Sequence, residues 1–385
     1  MKQLTDLLST RCQSLDTSGI RKIFEMATTL TDPINLSIGQ PHFDVPEPVK
    51  QAAIDAIQAG HNGYTRTQGI GQLHEVIAAR LKKELDWDLD RDGLGVLVTS
   101  GTSGGLILSF MTFTEAGDEA IIPDPYFVIY PAGCSMSGAQ AVYCDTYPDF
   151  RMTAERLEPL ITERTKFVLL NSPGNPTGIV LTSEELHDIV DLCNDRGVLL
   201  ISDEIYDEFT YPDGREDGHF PTPAQFTRDM LLLRGFSKSY GMTGWRMGYA
   251  VGPRDIVNAM AKMQQYSFVC APSMVQWAGI TALNTDITSF VAEYDSKRRM
   301  VLDAFKGVAE IVEPKGAFYA FVKVPEHLGM TGTEFVKSAI ERNVLVIPGS
   351  AFSRRDTHIR ISYATTDEKL REGLDVLVNL MKRGT

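Results

Sequence analysis

The stretch GFSKSYGMTGWRMGY (Gly235 to Tyr249) sets a lysine among glycine and serine directly after an apolar run, with an arginine eight residues further on. A lysine amine can act as a covalent nucleophile and a guanidinium can clamp an anion, which is the chemistry read for Lys238 and Arg246; two surface cations are the plainer alternative. In THIRISYA (Thr357 to Ala364) a period of two puts Arg360 on one face of a strand. There it is either a fork for a carboxylate or part of a solvated face. ISDEIYDEF ends an apolar run in Asp203, with Tyr206 three residues later. A carboxylate at the end of a buried strand needs a partner, unless it serves as a helix N-cap. NSPGNPTG is a fixed turn that presents amide side chains, and Asn175 can donate to an oxygen on a ligand. Tyr126, in PDPYFVIYP, either stacks on a planar ligand or is a core tyrosine. VTSGTSGGL, with Gly101, Thr102 and Ser103, passes from a strand through a small-residue turn into an apolar helix. Such a turn exposes N–H groups to a phosphate or simply connects two elements. It carries neither the GK[ST] ending nor GxGxxG.

These residues need a scaffold, and the middle of the chain supplies one. Short β-rich apolar runs occur at Gly95 to Thr99, Glu119 to Ile122, Ala141 to Cys144, Lys166 to Asn171, Val198 to Ser202, Leu231 to Arg234 and Met247 to Val251. Helical or loop segments separate most of them, the signature of an α/β sheet with many parallel strands covered on both faces. Thr182 with Glu185 forms a capping box ahead of Leu186, Ile189, Val190 and Cys193. Toward the ends come a helical stretch at Ile20 to Thr29, strands at Ala317 to Lys323, Val344 to Ile347 and His358 to Tyr363, and a closing helix from about Thr366 to Lys382. Strands grouped with helices in this way predict a smaller α+β domain. The expected division is a large α/β domain over 46–285 and a small one from 1–45 together with 286–385.

Composition narrows the partners. The 385 residues are 43% hydrophobic and 23% charged, enough for a sizeable core. Lys+Arg 37 against Asp+Glu 50 gives −13, which disfavours nucleic acid and anionic membranes. The five cysteines (Cys12, Cys134, Cys144, Cys193, Cys270) contain no CxxC pair, so neither a disulfide framework nor a metal site is expected. The N-terminus lacks an apolar h-region and no run approaches the length of a membrane span, so a soluble cytoplasmic protein is expected.

Together, in order and spacing, these segments resemble the fold-type I pyridoxal-phosphate enzymes, specifically class I aminotransferases of the aspartate/aromatic group, from about Gly19 to the last helix. The resemblance implies a large cofactor-binding domain with a mostly parallel seven-stranded sheet. It implies that Lys238 carries pyridoxal 5'-phosphate and moves the substrate proton. Asp203 would pair with the ring nitrogen, Asn175 and Tyr206 with the ring's phenolic oxygen, and Tyr126 would stack on the ring. Gly101, Thr102, Ser103, Ser237 and Arg246 would hold the phosphate, joined by Tyr64 of a second subunit in a homodimer with shared active sites. Arg360, Asn175 and the Gly39 backbone would take the substrate carboxylate, and Ile20 would line the side-chain pocket. The implied reaction moves nitrogen from an L-amino acid to a 2-oxo acid, 2-oxoglutarate by expectation, in ping-pong order. One departure is Ser103: some aspartate-specific relatives carry a lysine there, so aromatic, alanine-type or broad specificity stays open. A C–S lyase, an aminocyclopropane-carboxylate synthase-like enzyme and a non-catalytic cofactor-binding regulator are the competing readings.

Overall fold

Seven runs can be apolar along their whole length only if both of their faces are covered, and that requirement organises the fold. The structure is a computed structural model and describes residues 3–13, 15, 19 and 30–382. In chain order the strands are β1 (Ile34–Asn35), β2 (Leu94–Thr99), β3 (Glu119–Asp124), β4 (Gln140–Asp145), β5 (Thr165–Asn171) and β6 (Leu199–Asp203). They continue with β7 (Met230–Gly235), β8 (Gly248–Pro253), β9 (Tyr319–Lys323), β10 (Val344–Leu345), β11 (Ile347–Pro348) and β12 (His358–Ser362). The seven runs expected in the middle become β2 to β8, one sheet in the order β2-β8-β7-β6-β5-β3-β4. Pairing within it is parallel except at β8, which runs against both β2 and β7.

Alternation assigns each side chain to a layer. Phe167 and Leu169 of β5 pack with Leu106, Phe110 and Met260 on one face, whereas Val168 and Leu170 pack with Leu186 and Ile189 on the other. The helix Ser183–Arg196 forms where its capping box predicts. Thr182 accepts from the Glu185 N–H, Glu185 returns the bond to the Thr182 N–H, and Gly197 closes the helix at φ 65°.

The C-terminal part holds a three-stranded antiparallel sheet, β11-β12-β9, and the helix Asp367–Lys382. The N-terminal segment joins it, because β1 pairs in parallel with β10. This corrects the single strand expected over Val344 to Ile347. The run divides because β1 partners its first half and β12 its second, on either side of Val346. The helical stretch expected at Ile20 to Thr29 lies outside the described residues. Among the described residues no helix is long and apolar enough to cross a membrane.

One buried ion cluster stands behind the carboxyl end of the sheet. Arg234 of β7 is 2% exposed; it donates to Glu204 Oε2 at 3.0 Å and to Glu84 Oε2 at 2.6 Å, and Asp207 Oδ2 lies 3.6 Å away. Glu204, fully buried, also accepts from Ser202 and Thr222. Arg80 completes the group against Glu84, Asp207 and Glu208. Removing one member strands the others away from water, so Arg234→Met is expected to destabilise the protein by about 3–5 kcal/mol. Chemical denaturation measures this, and an unchanged midpoint would show that the cluster contributes no net stability.

Candidate active site

Because the strands flanking β8 run the same way, the turns that follow β2, β5, β6 and β7 meet on one rim of the sheet, where open α/β sheets place ligand crevices. They enclose a cavity of about 240 Å³. The turn after β2 brings Thr102 and Ser103, that after β5 Asn175, that after β6 Tyr206, and that after β7 Ser237 and Lys238, while Asp203 is the last residue of β6. Gly39 and Arg360 close the cavity from the C-terminal sheet and the N-terminal segment packed with it.

The Lys238 amine donates to the Gly39 carbonyl, which ties the turn after β7 to the N-terminal segment. Enclosure, with the charges of Arg360 and Arg246 acting in the same direction and Asp203 against them, lowers its pKa to about 8. A neutral amine is therefore accessible near physiological pH. Asp203 moves the other way, raised to about 6 by burial despite the hydrogen bond from Tyr130 Oη to its Oδ2 at 2.9 Å and the Ile205 N–H on Oδ1 at 3.3 Å. It is still an anion at neutral pH.

A cup for an anion lies at the start of the helix Gly101–Phe113. Its N-cap, Ser100, makes no side-chain cap, so the first-turn N–H groups keep their capacity to bind. The Thr102 hydroxyl is buried with no hydrogen-bond partner. The wall is backbone: a Cβ at Gly248 would come within 2.6 Å of the Thr102 nitrogen, and one at Gly101 within 2.8 Å of the Arg246 guanidinium. Gly101 itself sits at φ 69°, a conformation costly for other residues. An unpartnered hydroxyl, free N–H groups and an arginine fit a phosphate, and Phe127 and Tyr206 line the same cavity.

Across the cavity, Arg360 is 1% exposed. It donates to Asn175 Oδ1 at 3.0 Å and to the Ser37 carbonyl at 2.7 Å, while its Nε has no partner. The rings of Tyr319 and Phe352 each lie 4.5 Å from its guanidinium carbon. A guanidinium with two aromatic rings against it and donor capacity left over is arranged for a carboxylate.

Most residues expected from the sequence therefore come together, with exceptions. Tyr126 does not line the cavity; Phe127 does, and the Tyr126 ring lies against Tyr143, 5.5 Å away. Gly101 contributes backbone behind the cup and is not on the cavity wall. Tyr64 is 88% exposed and away from the cavity of its own chain. Ile20 lies outside the described residues. Sequence reasoning also missed Tyr130, Asn171 and Tyr319, all on the cavity. Asn171 is signalled by its place at the end of β5: its amide donates to the Asp203 carbonyl and its oxygen accepts from the Asn175 N–H.

The family model for class I and II aminotransferases matches residues 31–377. The chain is 36% identical to the probable aspartate aminotransferase of Methanocaldococcus jannaschii, over 98% of this chain and 100% of that protein. It is 34% identical to aromatic-amino-acid aminotransferase 2 of Thermococcus litoralis, over 97% and 98%. Among solved structures, the aspartate aminotransferase of Thermus thermophilus with maleate superposes with a TM-score of 0.90 at 32% identity, covering 99% of this chain and 100% of that one.

The electrostatics around Lys238 have a measurable consequence. In the cofactor-free protein, the pH dependence of Lys238 acylation, followed by peptide mass spectrometry, is expected to show a midpoint near 8. Arg360→Gln removes a repelling charge and raises that midpoint, whereas Asp203→Asn removes a supporting one and lowers it. A midpoint at the ordinary lysine value in all three proteins would contradict the enclosure described.

Proposed function

The chain belongs to the class I and II aminotransferase family and is an aminotransferase, and from that premise we propose how its site carries out the transfer. The observation that carries the reading is the enclosed Lys238 amine in one cavity with Asp203, an anion cup and the Arg360 fork. Pyridoxal 5'-phosphate is the proposed cofactor. Lys238 would hold it through its amine, Asp203 would face the ring nitrogen, Asn175 and Tyr206 the phenolic oxygen, and Phe127 the ring face. The phosphate would rest on Gly101, Thr102 and Ser103, with Ser237 and Arg246. When bound, this group supplies an electron sink for the pair left behind when the substrate's Cα loses its proton.

The chain's own residues do the rest. Arg360 grips the α-carboxylate, with Asn175 and the Gly39 backbone beside it, and so fixes which bond at Cα lies next to Lys238. Lys238 Nζ, neutral for a useful fraction of the time above about pH 7, takes the Cα proton and returns one in the reverse half-reaction. Asp203, an anion above about pH 6, holds the ring nitrogen's proton in place. An L-amino acid gives up its nitrogen in one half-reaction and a 2-oxo acid, 2-oxoglutarate by the family's habit, takes it in the other.

The proposed working form is a cytoplasmic homodimer, in which the exposed Tyr64 reaches the partner's phosphate cup. Residues 46–285 would act as the cofactor-binding domain, and 1–45 with 286–385 as the small domain. Neutral Ser103 weakens an assignment to aspartate and leaves aromatic, alanine-type or broad specificity open.

Two measurements test the reading. Lys238→Ala is expected to lose amino transfer by about 10²–10⁴-fold or more, with the parent yellow and the variant unable to retain a borohydride-fixed label. A panel of L-amino acids with 2-oxoglutarate should yield glutamate and the matching 2-oxo acids. Pyruvate and ammonia with no new amino acid would replace amino transfer by a lyase reaction.

A further inference from the structure

Tyr319, on β9, occupies a junction that the reaction just described does not use. Its hydroxyl lies 2.9 Å from the Tyr206 hydroxyl, and both side chains are almost wholly buried. Its ring stacks on the Arg360 guanidinium at 4.5 Å. The two share a face of the small sheet, since Tyr319 pairs with Ser362 and Arg360 with Phe321. On the other side, a Cβ at Gly39 would approach the Tyr319 hydroxyl to 3.0 Å, so the glycine there leaves the hydroxyl its place.

Two phenols in contact share one hydrogen bond and hold two protons, so the pair has a direction. If Tyr206 donates to Tyr319, its proton is spent inside the protein. If Tyr319 donates to Tyr206, the Tyr206 proton is free to point into the cavity. Burial raises both phenols and raises Tyr206 well above its ordinary value; Arg360 opposes this at both and lies over the Tyr319 ring at 4.5 Å, which leaves Tyr319 the better acid of the pair. The charged and titratable groups facing this pair are Asp203 from β6, Lys238 from the turn after β7 and Arg360 from β12. Arg360 is the one stacked on Tyr319.

We propose that Tyr319 is a positioning residue that donates to Tyr206, so that the Tyr206 proton is directed at the phenolic oxygen of the bound cofactor. The inference rests on the role given to Tyr206 above. It makes the carboxylate fork and the cofactor's phenolic oxygen depend on one side chain: the ring supports Arg360 and the hydroxyl supports Tyr206. Loss of the hydroxyl alone separates these two duties.

The test uses the cofactor-loaded enzyme and the pH midpoint of its visible absorption band. A donor on the phenolic oxygen stabilises the deprotonated form. Tyr319→Phe should therefore raise the midpoint by about 0.1–0.5 pH units, well short of the shift produced by Tyr206→Phe, and should lower kcat. The shift is small because Tyr206 keeps its own bond to the phenolic oxygen and loses only the strengthening of about 10–30% that a donor on its hydroxyl gives. KM for the amino donor should stay within about twofold, because the ring under Arg360 is kept. Adding Tyr319→Phe to Tyr206→Phe should move the midpoint no further. A Tyr319→Phe protein with the parent's midpoint, or one in which only KM changes, overturns the proposal and leaves Tyr319 a packing residue. If Tyr206→Phe itself leaves the midpoint in place, the role of Tyr206 fails first and the proposal with it.

Discussion

Keeping the amine of Lys238 enclosed on the same cavity as the guanidinium groups of Arg246 and Arg360 is possible only where other groups offset the repulsion. The Gly39 carbonyl and Asp203 do so, one by a hydrogen bond and one by charge. Each comes from a different part of the chain. Gly39 is held by the segment that forms β1 and pairs with β10, and Asp203 by the buried end of β6. The position of one nitrogen atom therefore depends on the central sheet and the small sheet being in register with each other. The cost to the cofactor-free protein is the raised free energy of a lysine that would prefer to lose its proton, and that same unease gives the amine its reactivity.

The segment Asp203 to Glu208 faces two ways. Asp203 and Tyr206 look into the cavity, whereas Glu204, Asp207 and Glu208 look back at Arg80 and Arg234. A turn carrying two site residues would ordinarily be free to shift, since turns have fewer neighbours than strands. Here the ionic cluster behind it fixes the backbone from the rear and leaves the front face open. Burial pushes the Asp207 carboxyl up while Arg234 and Arg80 pull it down.

Much of this was legible in the sequence, because the strands are apolar along their length and the residues after them are not. Lys238, Asp203, Asn175 and Thr102 are readable because each lies one to four residues beyond such a run. Periodicity also found the helix after Thr182. The misses have a common cause. Tyr126 and Phe127 are neighbours in the turn after β3, and one meets the Tyr143 ring of β4 while the other lines the cavity, a difference that no local pattern records. Tyr130, Tyr319 and Arg234 sit within apolar runs and read as core. Their roles come from partners 73, 113 and 30 residues away, a distance at which no local rule operates. The split of Val344 to Ile347 into two strands likewise depends on β1, some three hundred residues earlier.

The reversed strand β8 has a geometric result that reaches beyond pairing. Because it returns against β7, the chain leaves the rim at Gly235 and comes back to it at Gly248, so Lys238 and Arg246 belong to one short arch with both feet on adjacent strands. A parallel crossover would have put a helix and a full sheet height between them. The arch also has Arg246 at φ 54° and Gly241 at φ 67°, two places where the backbone turns the left-handed way. Its length is thus as constrained as its residues. Insertions and deletions accumulating in descendants of this chain should fall on the opposite rim, leaving the arch a fixed ruler between amine and anion cup.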